Sequence, residues 1–229
     1  MTSGVRVELT AAGEKFSGYC AGPTNVGRSA VVVIQEIFGV NSHIRDVCDR
    51  FADEGFVALA PDVFHRQQVD VELGYEEADI GVGFGLKEGL NPAEVVADLA
   101  ACIQWLRDQG ASKVAVVGFC MGGLYTYLSA AQLNPDAAVA YYGGGIGDYL
   151  DQATTVCCPI MFHFGERDDH IPLEVVASVE AAVSGLTDAT VYTYPAEHGF
   201  NCDQRGAFDQ AASTLAWQRT IDFFRRHLD

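Results

Sequence analysis

A central, mostly parallel β-sheet flanked by helices, an α/β architecture, is what this sequence of 229 residues predicts. Two patterns carry the prediction. Short apolar runs of β-branched residues, typified by Ala30-Val-Val-Val-Ile34, are those of strands covered on both faces, as parallel strands are. They alternate with stretches whose apolar residues recur about every 3.6 residues, the period of helices packed on such a sheet.

Val5, Val7 and Leu9 alternate with Arg6 and Glu8, Gly13 marks a turn, and residues 16–20 can return, which predicts a short N-terminal β-hairpin at the edge. After the strand 30–34, Ser42 can cap a helix burying Ile44, Val47, Cys48 and Phe51, and Gly55 closes it before a strand at 56–60. Residues 63–91 read as a polar, glycine-containing excursion, long enough to suggest a functional loop. Pro92 suits the first turn of a helix through Arg107 with Val95, Leu99, Ile103 and Leu106 on one face. A strand at 113–117 and a helix from about Gly122 follow, then strands at 138–142, 160–164 and 189–194, with a helix at 173–184. The C-terminal helix, 207–228, is striped by Phe208, Ala211, Leu215, Ile221, Phe224 and Leu228. No linker, repeat or low-complexity tract interrupts this alternation, so a single domain of residues 1–229 is expected.

Composition narrows the ligand. Against 14 Lys and Arg stand 31 Asp and Glu, a formal charge of −17, which opposes nucleic acid and anionic membranes, since both need clustered cations. Small molecules are the remaining class. No apolar run approaches the roughly 20 residues of a membrane span, and the N-terminus lacks the pattern of an export signal, so a cytoplasmic location is expected. Seven cysteines are an odd number, which disfavours a disulfide framework. Neither metal-ligand spacing nor a cofactor-binding glycine pattern is present, so no metal and no cofactor are expected. A monomer or weak homo-oligomer is expected.

Directly after the strand 113–117 comes Gly118-Phe-Cys-Met-Gly-Gly123, then a helix. This G-x-C-x-G pattern is that of a strand-to-helix turn so tight that its flanking positions must be small. It lifts the Cys120 side chain to the carboxyl edge of the sheet, where the amino end of the next helix favours negative charge. A cysteine nucleophile needs a base, and the base an orienting acid. Asp168 and Asp169 follow the strand 160–164, and His198 follows the last strand, in the order nucleophile, acid, base. The other five histidines have no such context and read as structural or exposed.

Gln35-Glu-Ile-Phe-Gly39, Gly118-Phe-Cys-Met-Gly-Gly123, Gly165-Glu-Arg-Asp168 with Ile171-Pro172, and Glu197-His-Gly-Phe200, in this order, resemble the dienelactone hydrolase (carboxymethylenebutenolidase) family. The resemblance implies the α/β-hydrolase fold, with Cys120 as nucleophile, His198 as base and Asp168, rather than Asp169, as the acid. It also implies that Glu36 helps form the thiolate when substrate arrives. The backbone N–H groups of Ile37 and Met121 would form the oxyanion hole. Phe38 is a further candidate for substrate contact.

A thiolate competes with the substrate's own oxygen to leave the tetrahedral intermediate, and the weaker base departs. An enol lactone satisfies this condition, so the expected reaction is opening of a dienelactone-like ring through a thioester. Alternatives are a thiol esterase for another activated ester or a neutral lactone, and a silent binding member of the fold. Family members that act on dienelactone are understood to grip its carboxylate with two arginines. Here residues 74–90 hold only Lys87, and Cys202 stands at the second position, leaving Arg205, Lys87 and Arg66 as candidate cations.

Overall fold

The computed structural model describes residues 4–22 and 27–229. By contacts the chain divides into two compact units, residues 1–116 and 117–229, and the cut falls inside the fifth strand.

In the first unit, β1 (Val5–Ala11) and β2 (Glu14–Ala21) form the expected hairpin. Its two turn residues, Ala12 and Gly13, both lie at positive φ, as the tightest hairpin turns require. β3 (Ala30–Ile34) is buried along its whole length and runs parallel to β4 (Val57–Pro61), which pairs antiparallel with β2.

Between β3 and β4, α1 (Ser42–Asp53) buries the four apolar residues its periodicity singled out. Its cap is Asn41 rather than Ser42: the Asn41 Oδ1 accepts from Ile44 N–H, while Nδ2 donates to Tyr75 Oη and the Leu73 carbonyl. Those long-range partners decide between two neighbouring residues that can both cap a helix.

The excursion is not structureless. It holds α2 (Glu77–Glu88), a helix containing Gly81, Gly83 and Gly85, each unfavourable by about 1 kcal/mol in a helix interior, so propensity alone argued against it. α3 (Pro92–Asp108) starts at Pro92 as expected, capped by the Asn91 side chain. It carries one buried acid, Asp98, which accepts from both terminal nitrogens of Arg66 and from His65. The Arg66 guanidinium is held well above its ordinary pKa, first by its hydrogen bond to Asp98, and it also pairs with Glu14. Arg66 is therefore committed to the fold and is no free cation for a substrate.

β5 (Val114–Phe119) crosses the division and leads into α4 (Met121–Gln132). Beyond it, β6 (Ala137–Tyr141), β7 (Ile160–Gly165) and β8 (Ala189–Tyr194) pair in parallel. A 3-10 helix at Ile146–Thr155, not foreseen from the sequence, and α5 (Leu173–Val183) connect them. The strand order is β1-β2-β4-β3-β5-β6-β7-β8.

The last helix, α6 (Gln210–Leu228), starts three residues later than expected because the Asp209 side chain caps it at Ala212 N–H. Its buried stripe holds Ile221, Phe224 and Leu228 as expected but is displaced over the first turns: Ala211 and Leu215 face solvent, and Ala212, Ala216 and Thr220 are buried. Thr220 is buried with partners, its Oγ1 lying 2.6 Å from Tyr141 Oη and 3.2 Å from His163 Nε2. Among the described residues, no helix is long and apolar enough to cross a membrane.

Candidate active site

The turn between β5 and α4 sets Cys120 at φ 54°, ψ −115°, a conformation that an L side chain adopts only under strain of about 1–3 kcal/mol. Gly118 makes the turn possible. A Cβ there would stand 2.1 Å from the Gly122 carbonyl oxygen, so no larger residue fits without moving backbone. Cys120 N–H donates to the Tyr141 carbonyl at the end of β6, and Met121 heads α4, where backbone N–H groups have no intrahelical acceptor.

Asp168 follows β7 and is buried with its carboxylate spoken for. Its Oδ1 accepts from the N–H groups of His170 and Ile171, and its Oδ2 accepts from His198 Nδ1 at 2.7 Å. That bond assigns the proton to Nδ1 and leaves Nε2 for the Cys120 sulfur, which hydrogen-bonds the same imidazole. The rings of Tyr142 and His170 each meet His198 in a T-shaped arrangement, with centroids 5.1 and 4.9 Å away. Asp169 is exposed on the rim, so the geometry joins Asp168, not its neighbour, to the histidine.

Burial alone would push the His198 imidazolium down in pKa. The negative charge and hydrogen bond of Cys120, with those of Asp168, outweigh burial and raise it to about 10. The ring is thus expected to stay protonated at pH 8. Nitrogen chemical shifts of His198 should report imidazolium there, and Asp168→Asn or Cys120→Ala should bring its titration down toward the ordinary range near 6.5. An unchanged titration in both variants would contradict the assignment.

Beside His198 lies a cavity of about 180 Å³ lined by Arg167, Asp169, His170, Glu197 and Arg205. Arg205 reaches it because Gly199, at φ +82°, has no side chain to obstruct the guanidinium. In the other unit, Glu36, Ile37 and Phe38 follow β3 and are all buried, Phe38 meeting Tyr75 edge to face at 4.6 Å. Lys87, near the end of α2, has its ammonium 5.8 Å from the Phe84 ring.

Sequence reading passed over His170 and Tyr142, the two rings against His198. Tyr142 sits at φ 35° just past β6, and a residue beside three glycines at a strand end was the available signal.

A cysteine on a sharp strand-to-helix turn, with an acid and a histidine from later strand ends, defines an α/β-hydrolase. The profile of the Dienelactone hydrolase family matches residues 16–228, and the chain belongs to that family, whose members are carboxylic-ester hydrolases acting on small molecules. A protein of Synechocystis sp. that bears the provisional name carboxymethylenebutenolidase is 37% identical over 228 residues, covering 93% of each chain. Carboxymethylenebutenolidase 1 of Cupriavidus pinatubonensis is 31% identical over 226 residues, covering 94% of each. Among solved structures, a provisionally named dienelactone hydrolase from Klebsiella pneumoniae superposes with a TM-score of 0.86 at 31% identity, covering 97% of this chain and 99% of that one.

Proposed function

We propose that this hydrolase opens enol lactones of the dienelactone type, with Cys120 as nucleophile, His198 as base and Asp168 as orienting acid, within a single functional domain. The observation that carries the reading is the hydrogen-bonded series Asp168–His198–Cys120 at a backbone turn of positive φ.

The thiolate attacks the ring carbonyl carbon, and the charge that develops on oxygen is met by the N–H groups of Met121 and Ile37. The carbonyl–oxygen ring bond breaks, and the enolate that leaves takes the proton of the His198 imidazolium and ketonises, which makes the step irreversible and leaves the imidazole neutral. Water deprotonated by the neutral His198 then attacks the thioester, and the C–S bond breaks to release the acid and restore the thiolate beside the imidazolium. Glu36 assists formation of the thiolate. Arg205, whose guanidinium lines the cavity beside His198, is the candidate partner for a substrate carboxylate, and Phe38 and Lys87 are further candidate contacts.

A second reading, a neutral lactone or other activated ester, is favoured by one observation. Arg66 is committed to Asp98, which leaves fewer cations to draw an anionic ligand toward a chain of net charge −17.

Intact-mass spectrometry with an enol lactone carrying a carboxylate, a neutral enol lactone and p-nitrophenyl acetate tests both readings. The expected result is an acyl adduct that maps to Cys120. Adducts with the neutral compounds alone would select the second reading, and hydrolysis without any cysteine adduct would remove the thioester.

A further inference from the structure

The segment 35–39, which carries the proposed oxyanion donor Ile37, is held at several points by the long excursion that follows β4. Val63 N–H donates to Gln35 Oε1, and Gln35 Nε2 donates to the Glu36 carbonyl, both at 3.4 Å. Leu73 N–H donates to the Phe38 carbonyl at 2.9 Å. Gly39, at φ +79°, forms a bridge with Glu72 and lies so close to the Val71 carbonyl that no Cβ could be accommodated. The fourth contact comes from α2. A Cβ on Gly83 would stand 2.6 Å from the Ile37 carbonyl oxygen and 3.1–3.2 Å from two Ile37 side-chain carbons.

α2 has three glycines at alternate positions, and their surroundings differ sharply. A Cβ at Gly81 or Gly85 would meet nothing within 4 Å. Steric need for glycine in this helix is therefore confined to the one position that touches the oxyanion segment.

We infer that Gly83 is a positioning residue for the oxyanion hole. Its bare Cα lets α2 rest on the Ile37 carbonyl, so that the two peptides flanking Ile37 are clamped between the Gln35 amide and the helix. Clamping those peptides fixes the direction of the Ile37 N–H. The inference rests on the proposed role of Ile37. A methyl group at position 83 must displace either the helix or the peptide, and hydrogen bonds prefer angles above about 150° and weaken steeply below about 120°. Loss of one oxyanion donor lowers kcat by about 10²–10³-fold.

Gly83→Ala is therefore expected to lower kcat for p-nitrophenyl acetate by about 10²-fold with KM little changed. It should weaken a trifluoromethyl ketone by a similar factor. That inhibitor accepts the thiolate at its carbonyl carbon, forming a C–S bond and leaving the former carbonyl oxygen as an oxyanion. Alkylation of Cys120 by iodoacetamide develops no oxyanion and should proceed at the wild-type rate. Gly81→Ala and Gly85→Ala should keep full activity and raise thermal stability, since alanine favours helix over glycine. The inference is overturned if Gly83→Ala retains kcat and ketone affinity, if all three variants lose activity alike, or if iodoacetamide reactivity falls in step. A wild-type protein that forms no ketone adduct on Cys120 would overturn the nucleophile assignment itself, and this inference with it.

Discussion

Cys120→Ala is expected to lower ester turnover by about 10⁴-fold or more and to abolish the acyl adduct, since loss of the nucleophile disables the triad as a unit. His198→Ala should do nearly the same, and the double variant should be scarcely worse than either alone, because base and nucleophile act in one step. Equal turnover in wild type and Cys120→Ala, measured with p-nitrophenyl acetate on protein of verified mass, would end the proposed mechanism. The residual rate carries information of its own, since a catalytic water held by His198 could still react slowly while binding and oxyanion stabilisation persist.

Acid is expected to destabilise the fold through His163, a residue outside the proposed chemistry. His163 is fully buried in β7 between Tyr194 and Thr220. Thr220 donates its own proton to the Ala216 carbonyl, so His163 Nε2–H donates to Thr220, and Nδ1 accepts from Tyr194. Protonating Nδ1 would set it against that donor. Burial, reinforced by the charge of Arg219, lowers the His163 pKa to about 3.

From its ordinary value near 6.5 down to about 3, the unfolded chain therefore binds one proton more than the native chain. This contribution to stability is complete above pH 6.5 and drains away as pH falls. It amounts to about 1.4 kcal/mol per pH unit, or about 3 kcal/mol by pH 4. Urea unfolding of wild type and His163→Gln between pH 7 and 4 measures it. The glutamine variant should be less stable at pH 7 yet lose stability less steeply, and parallel slopes would refute the assignment.

The turn at Cys120 was legible in the sequence because it cannot be built without glycine. The clash that a Cβ at Gly118 would make with the Gly122 carbonyl is the same constraint that makes G-x-C-x-G readable. β3 and β5 were legible because strands buried on both faces are continuously apolar. α2 was not, since three glycines erase the helical signal and the contact with Ile37 lies more than forty residues away in the chain. The first turns of the α6 stripe were misread by one position because Ala211 and Ala212 weigh alike in a hydrophobic pattern, while packing chooses between them. The network around His163 draws Tyr194 from β8 and Thr220 from α6, and no local pattern links residues so far apart.

The positive φ of Cys120 has a consequence for selection experiments. Glycine adopts such a backbone without strain, so Cys120→Gly relieves the turn while deleting the sulfur. A heat-challenge library screened only for soluble, folded protein would thus enrich a variant that lacks the proposed nucleophile. Any thermostability campaign on this scaffold has to count product as well as survivors.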